Sequence, residues 1–294
     1  MIEIIWCEAR RPEVHCAEAP NQRRLQRGYR LHHIVPDFII RNYREGRYRG
    51  SFEAASLYLD VAGFAVMTDS LMAHGQDGAE ALENTMREVF NPLVDAILGQ
   101  GGMIVGYAGD SISALYPVET NMGDASRRAL ASVQAIRGWL SSKPAFETPY
   151  GKFQISAKIG LASGPVKWGI IRSPSGEKAV YYFRGDAVQE ATRAEAEAGA
   201  GLVLLTEGIC QQLEEIIETR PLQNLHVLER VAGALPQARP LPTPENDPEA
   251  AAIFAPREVA TQDALIKPHL HQCNKLPYLY YLKQSPKQFV MHAP

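Results

Sequence analysis

Two aspartates lie where short β-rich segments end, and their spacing suits a cation site. Asp60 is next to last in the alternating segment SLYLDV (residues 56–61), and Asp110 follows Gly109 in the turn of a predicted hairpin, fifty positions later. Mg²⁺ prefers oxygen ligands and commonly binds through one or two carboxylates plus substrate phosphates. A strand end and a neighbouring hairpin that bring two carboxylates together suit a two-metal site for phosphoryl or nucleotidyl transfer. The alternative is ordinary, since an aspartate at such a position is more often a helix cap or a turn residue.

The residues after Asp60 are small and precede a helical pattern. Ala62 and Gly63 would let backbone N–H groups approach a polyphosphate at the start of that helix, where the helix dipole favours anions. Lys158 lies in the alternating segment KFQISAKIGLASG (residues 152–164) on the opposite side from its apolar residues. Asp60 lies on the same side of its own strand, so we expect the two charges to share one face of a sheet. A lysine at such a position is otherwise an ordinary solvated strand residue.

The elements that must position these residues follow one another in the order strand, helix, hairpin, helix, strand, hairpin-like pair, helix and strand. A first helix is predicted where apolar residues follow helix spacing from Leu82 to Leu98, before Gly101 and Gly102 end it. Two further helices are predicted at 124–140 and 187–201, with Asp124 or Ser126 expected to cap the first of these two. VKWGII and AVYYFRG are predicted as two further separate strands. This order predicts an α+β, ferredoxin-like βαββαβ core, in which helices cover one face of an antiparallel sheet and leave the other open.

Composition and pattern divide the chain into four segments. We expect an irregular, Arg-rich arm at 1–32, a catalytic-type domain at 33–231, a Pro-rich linker at 232–250, and a tail at 251–294 whose structure the pattern does not predict.

Charge and hydropathy exclude several classes of function. A net charge of −3 gives no basic field for nucleic acid or an anionic membrane. No signal peptide is visible, and no apolar segment approaches the roughly 20 residues that span a bilayer. The four cysteines form no CxxC pair, which is typical of reduced thiols, so a cytoplasmic location is expected.

The segments LYLDVAGFAVMTDSL and GAEALENTMREVFNPLVDAILGQGGMIVGYAGDSISALYP resemble the catalytic domain of class III nucleotidyl cyclases. In that family a strand ending in Asp-Ile-x-Gly-Phe precedes a helix, and a strand and Gly-Asp hairpin follow. The resemblance extends from about residue 33 to residue 225 and is closest to the first cyclase domain of soluble-adenylyl-cyclase-like proteins. It implies the class III cyclase fold, with intracellular formation of 3′,5′-cyclic AMP and pyrophosphate from ATP.

The resemblance also implies roles for individual residues. Those that match the metal ligands are Asp60 and Asp110, with the backbone carbonyl of Val61, around two Mg²⁺ or Mn²⁺ ions. Those that match the nucleotide-binding positions are Gly63, Phe64, Gly109, Tyr182 and Gln189. Those that match the catalytic cations are Lys158, at the terminal phosphates, and Arg193, at the α-phosphate. Without the resemblance, Arg193 would be expected simply to pair with Glu190 or Glu197 on an exposed helix.

Three positions depart from the family pattern. Gly106 stands where the purine-reading lysine is expected, Tyr182 replaces an aspartate or threonine, and Gln189 replaces an asparagine. The site of this family forms between two cyclase domains, and this chain resembles the half that donates the metal ligands. A second cyclase domain, identical or complementary, is therefore an expected partner.

Other functions remain open at this point. The chain could be a degenerate cyclase-like module that binds a partner or a nucleotide without turnover, or a cyclase with altered base choice. The subgroup suggests bicarbonate regulation, which Gly106 argues against because a lysine is expected at the anion site.

Overall fold

The computed structural model describes residues 35–241 and 248–254. The predicted arm at 1–32 and most of the predicted tail lie outside the described residues, as does part of the predicted linker.

Eight strands form one sheet in which the neighbours run antiparallel, except for one parallel pair, β6 with β8. The order across the sheet is β2-β3-β1-β6-β8-β10-β9, and β7 pairs with the distal half of β6. A separate small hairpin is formed by β4 and β5. The strands are β1 (Arg49–Ala62), β2 (Met103–Ala108), β3 (Ser111–Pro117), β4 (Phe146–Thr148), β5 (Gly151–Phe153), β6 (Ser156–Arg172), β7 (Ala179–Arg184), β8 (Val203–Leu205), β9 (Ile217–Leu222) and β10 (Leu225–Val231).

Seven helices are described, and the longest of them lie against this sheet. They are α1 (Asp37–Arg44), α2 (Phe64–Met72), α3 (Gly75–Gly99), α4 (Met122–Ser141), α5 (Asp186–Ala196), α6 (Glu207–Leu213) and α7 (Pro248–Phe254). The βαββαβ core is visible as β1, α2–α3, the β2–β3 hairpin, α4, and β6, and the predicted α+β class with a mostly antiparallel sheet is confirmed.

The main core lies between one face of the sheet and helices α2, α3 and α4. Strand residues alternate into it, with Leu57, Leu59, Ile159 and Leu161 fully buried. Apolar positions at helical spacing on α3 and α4 complete this cluster, which is why these two helices lie side by side on the same face.

Helix α5 packs on the opposite face, so the prediction that helices cover one face only is wrong at this place. Its alanines Ala187, Ala191 and Ala194 are completely buried. Ala187 clusters with Leu115 and Ala194 with Leu204, and these two strand residues alternate with residues of the main core. Gly160 permits the close contact, because a Cβ there would lie 2.0 Å from the carbonyl oxygen of Ala191. An Ala-rich helix face and a glycine on the strand together let the two backbones approach.

Two local predictions were also wrong. VKWGII is not a separate strand, because β6 continues without a break from Ser156 to Arg172 and pairs with β1 as far as Arg49. Helix α4 is capped by neither predicted residue, since the Asn121 side chain accepts a hydrogen bond of 2.9 Å from the backbone N–H of Asp124.

The chain after β10 stays in contact with the domain. The Arg239 guanidinium forms hydrogen bonds of 3.1 Å to both carboxylate oxygens of Glu119, and its backbone N–H donates to the carbonyl of Gly99. Helix α7 contacts α1 and β7, where Lys178 donates to the Ala252 carbonyl at 3.0 Å. Both ends of the described chain therefore meet beside the β6–β7 hairpin.

Candidate active site

The two aspartates singled out in the sequence lie at one end of the sheet, Asp60 on β1 and Asp110 in the turn before β3. Asp60 on β1 pairs with Ser111, the first residue of β3, and the Ser111 hydroxyl donates to its Oδ1 at 2.8 Å. Asp110 immediately precedes Ser111, in the tight turn after Gly109, whose φ of 65° favours glycine. The register of the β1–β3 pair thus places both carboxylates at the same corner.

The backbone next to Asp60 is open on one side. The β1–β3 ladder ends at Asp60, whereas the β1–β6 ladder continues to Ala62. The chain then turns at Gly63, which has φ of 93° and starts helix α2. A Cβ on Gly63 would lie 2.4 Å from the carbonyl oxygen of Gln154, so no other residue fits this turn.

Val61 and Phe64 contribute only backbone to this corner, because both side chains are in the core. Val61 is 1% exposed, and the Phe64 ring packs edge-on against Phe90 at 5.6 Å between centroids. Phe64 occupies the first turn of α2, where free N–H groups and the helix dipole favour an anion.

Lys158 shares the corner with Asp60, as the alternation predicted. The two residues pair across β1 and β6, and the Lys158 ammonium lies 3.0 Å from Oδ2 of Asp60. The same ammonium lies 2.8 Å from Oε1 of Glu195, which α5 brings over this face. Lys158 therefore bridges two carboxylates from different elements.

This cluster is partly removed from solvent, and its charges shift one another. Burial raises the pKa of Asp110, and the negative charges of Asp60 and Glu195 add to the effect. The pKa of Lys158 is raised, chiefly by its hydrogen bond to Glu195 and then by Asp60. Lys158 thus remains protonated, and the carboxylates carry excess negative charge that a cation would offset.

The donor set fits a divalent ion of the Mg²⁺ type. Across residues 35–241 and 248–254, no three His, Cys, Asp or Glu side chains converge in a way that could enclose a metal by protein ligands alone. Mg²⁺ does not require such a cage, because it keeps several waters and binds through one or two carboxylates with substrate phosphates. Repulsion between Asp110 and Asp60, and the ammonium already held against Asp60, are the features expected of a site that attracts cations.

Arg193 and Gln189 lie elsewhere on α5. Both are exposed, and the Arg193 guanidinium pairs with Glu190 at 2.5 Å and with Glu197 at 3.7 Å. This is the local pairing that helix spacing alone predicts. Arg193 is two positions from Glu195 and so projects from a different side of the helix, and the structure does not bring it to the aspartates.

The remaining base-reading positions lie in two different hairpins, and Gly106 shares the β2–β3 hairpin with Asp110. Tyr182 lies on β7, opposite Gly169 on β6, where a Cβ would lie 2.6 Å from its ring. The Arg184 guanidinium lies 5.7 Å from the centre of that ring. Gly106 lies on β2 at an irregularity in the pairing with β3, and the space beside it is open, with no atom within 4 Å of an added Cβ.

Sequence reasoning missed three residues of the cluster. Ser111 could have been found because it directly follows the Gly109–Asp110 turn. Tyr58 could have been found from strand alternation, because it lies two positions before Asp60 on the same face. Burial is the main cause that raises the pKa of Tyr58. Glu195 is different, because its neighbours in sequence are those of an exposed, charged helix. The signal that could have found it is its spacing from Ala187, Ala191 and Ala194, which marks the buried side of α5.

Comparison with known proteins agrees with this architecture. The chain is 29% identical over 167 residues to adenylate cyclase type 10 of Mus musculus, and 28% identical over 189 residues to the protein of the same name from Homo sapiens. These matches cover 55% and 61% of this chain, which spans only about a tenth of the length of those relatives, 10% and 11%.

A solved structure shares the fold. It is the guanylate cyclase domain of RhGC from Catenaria anguillulae in complex with GTP, with a TM-score of 0.51 and 19% identity, covering 62% of this chain and 99% of that one. The chain is therefore homologous to part of adenylate cyclase type 10, and its fold is that of a nucleotidyl cyclase catalytic domain. No protein-family profile matches the sequence.

Among the helices that the structure describes, none has the length and apolar character needed to cross a bilayer.

Proposed function

We propose that this chain is a divalent-metal-dependent nucleotidyl cyclase domain that forms 3′,5′-cyclic AMP and pyrophosphate from ATP. The observation that supports this most directly is the convergence of Asp60, Asp110 and Lys158 at the start of α2, in a domain with the cyclase fold. Sequence identity to adenylate cyclases, rather than guanylate cyclases, favours ATP as the substrate.

In this proposal Asp60 and Asp110, with the Val61 carbonyl, hold two Mg²⁺ or Mn²⁺ ions. Such ions, when bound, supply charge neutralisation at the α-phosphate and lower the pKa of the ribose 3′-hydroxyl. The backbone around Gly109, Gly63 and Phe64 would face the triphosphate, since a glycine turn and the first turn of a helix present unhindered N–H groups.

In the proposed reaction, cationic side chains stabilise the charge that the bond changes produce. The 3′-oxygen attacks the α-phosphorus while the bond to the β-phosphate oxygen breaks, and the hydroxyl proton passes to solvent. Lys158 would hold the departing pyrophosphate through its ammonium group. Arg193, donated by a second domain, would offset the charge that develops on the α-phosphate.

A second domain is part of the proposal because Arg193, Gln189 and Tyr182 lie apart from the aspartates of the same chain. In a two-domain arrangement, one chain supplies the metal ligands and the other supplies residues for the base, ribose and α-phosphate. The partner would be either a second copy or a complementary cyclase domain.

A binding module without turnover is the second candidate. It is favoured by Gly106, Tyr182 and Gln189, which replace the residue types expected to read a purine and orient the ribose. Such a module would bind a nucleotide or an active partner domain through the same surfaces.

A product assay separates the two. The purified chain is incubated with Mn²⁺ and each of ATP, GTP, CTP and UTP, alone and with a complementary cyclase domain, and cyclic product is measured by mass spectrometry. We expect cyclic AMP, and a loss of at least about a hundredfold for Asp60→Asn or Asp110→Asn, because each removes several kcal/mol of charge stabilisation. A chain that binds triphosphate but makes no cyclic product under any of these conditions would be the binding module instead.

A further inference from the structure

A buried acid stands behind the lysine of the candidate site. Glu195 is 6% exposed and belongs to α5, on the face that packs against Gly160 of β6. A carboxylate at such depth is costly unless it is paired, and its partner is the Lys158 ammonium at 2.8 Å. The pair is therefore built into the α5–β6 contact.

The backbone fixes the position of Glu195 tightly. A Cβ at Gly160 would lie 2.5 Å from the Glu195 N–H nitrogen, so the helix rests directly on the strand two residues beyond Lys158. Asp60, the second partner of Lys158, is 21% exposed and faces the open corner. The lysine thus has one partner inside the fold and one at the site.

These two partners differ in what a bound cation would do to them. A divalent ion at Asp60 would repel the Lys158 ammonium and compete with it for the carboxylate. Glu195, which belongs to a different element from Asp60, would keep the ammonium compensated. Without Glu195, Lys158 would have Asp60 as its remaining partner and would compete more strongly with the ion.

We propose that Glu195 is a positioning residue that holds Lys158 beside the metal site and lets Asp60 exchange the ammonium for a divalent ion. The inference rests on the proposed function, since it assumes that Asp60 binds a metal. It assigns to Glu195 a role in metal affinity through Lys158, with no direct contact between Glu195 and substrate.

A double-mutant cycle in Mn²⁺ affinity tests this. Mn²⁺ binding is measured by electron paramagnetic resonance, in the presence of a non-hydrolysable triphosphate, for the full chain, Glu195→Gln, Lys158→Gln and the double variant. We expect Glu195→Gln to weaken Mn²⁺ binding about tenfold in the parent background and less than about threefold when residue 158 is already glutamine. Glu88→Gln is the matched control, because Glu88 pairs with Lys143 at 2.6 Å on the surface, and it should leave the affinity unchanged.

The result separates three explanations. If Glu195→Gln acted only through its lost negative charge, or by loosening the fold, it would weaken Mn²⁺ binding by the same factor in both backgrounds. That result would overturn the inference about Glu195 but not the proposed function. Absence of Mn²⁺ binding by the unaltered chain would overturn the proposed function as well.

A measurement on the unaltered chain guards against variants that fail to fold. The rate at which each lysine is acetylated by a water-soluble acyl ester is followed by mass spectrometry, with and without Mn²⁺. We expect Lys158 to stay at least about tenfold slower than Lys152, which is 69% exposed, in both conditions, because Glu195 retains it. If Mn²⁺ makes Lys158 as reactive as Lys152, Glu195 does not hold the lysine and the inference fails.

Discussion

The corner that holds Asp60 and the surface that holds Tyr182, Gln189 and Arg193 are organised in opposite ways. At the corner, side chains from four elements contact one another: Ser111 and Lys158 both contact Asp60, and Glu195 contacts Lys158. On the other surface, Arg193 pairs with neighbours on its own helix, and Tyr182 packs on Gly169 within its own hairpin. One region is assembled by the tertiary fold, and the other consists of local contacts that leave its residues available to a second domain.

The largest expected effect comes from removing the Lys158 ammonium group, which contacts both Asp60 and Glu195. Lys158→Gln leaves Glu195 buried without a partner, so we expect the free energy of unfolding in urea to fall by about 2–4 kcal/mol. Adding Glu195→Gln should restore most of that loss, because the unpaired charge is gone.

Lys143→Gln is the control for this change. Its partner Glu88 is 44% exposed, so the loss should be within about 1 kcal/mol. Equal losses for Lys158→Gln and Lys143→Gln, or no recovery in the double variant, would show that the corner is no more interlocked than the surface.

A smaller effect is expected from a methyl group at the α5–β6 contact. Gly160→Ala places a Cβ 2.0 Å from the Ala191 carbonyl oxygen, so α5 must shift, and we expect a loss of about 1–3 kcal/mol in urea unfolding. Gly138→Ala makes the same chemical change at an exposed position of α4, with nothing within 4 Å of the added Cβ, and should stabilise the protein by about 0.5–1 kcal/mol. If both substitutions changed the free energy of unfolding in the same direction, that would contradict the close α5–β6 contact beside Glu195.

The smallest effect is expected from two base-reading positions, Gly106 on β2 and Tyr182 on β7. Gly106→Lys with Tyr182→Asp supplies the residue types that the family uses for a purine, and open space beside Gly106 accommodates the lysine. One added hydrogen bond is worth about 0.5–1.5 kcal/mol, so kcat/KM for ATP in a homodimer should rise by up to about tenfold.

The comparison variant for this change keeps the length of the side chain without its charge, as Gly106→Met with Tyr182→Asp. A rate on ATP that stays flat or falls with the lysine, or rises equally with methionine, would count against the assignment of these positions to base recognition.

Much of the corner could be predicted from sequence because strand alternation and hairpin geometry are local rules. Period-two spacing placed Asp60 and Lys158 on the same side of the sheet, and the Gly109 turn placed Asp110 at a strand end. The β1–β6 register then brought the first two together at 3.0 Å.

Glu195 could not be predicted in the same way, because its burial depends on a distant strand. Helix spacing alone gives α5 an alanine side and a charged side, but whether the alanine side is covered depends on Gly160. The same limit applies to Asn121, which replaced the predicted caps because the helix starts two residues before Asp124. The long strand β6 was divided in two because Gly164 and Pro165 usually interrupt strands, yet both pair with β1 here.

The contact between α1 and α7 supports the β6–β7 hairpin, which carries Tyr182. The Tyr43 and Phe254 rings lie 5.4 Å apart, and Phe254 also meets Tyr181 at 5.9 Å, on the strand that carries Tyr182. Residues of α1 and α7, near the two ends of the described chain, thus join one aromatic cluster with β7. Asp60 lies near the other end of the long β1–β6 ladder from this aromatic contact, so substitutions of Tyr43 or Phe254 are expected to disturb the β6–β7 hairpin before the corner.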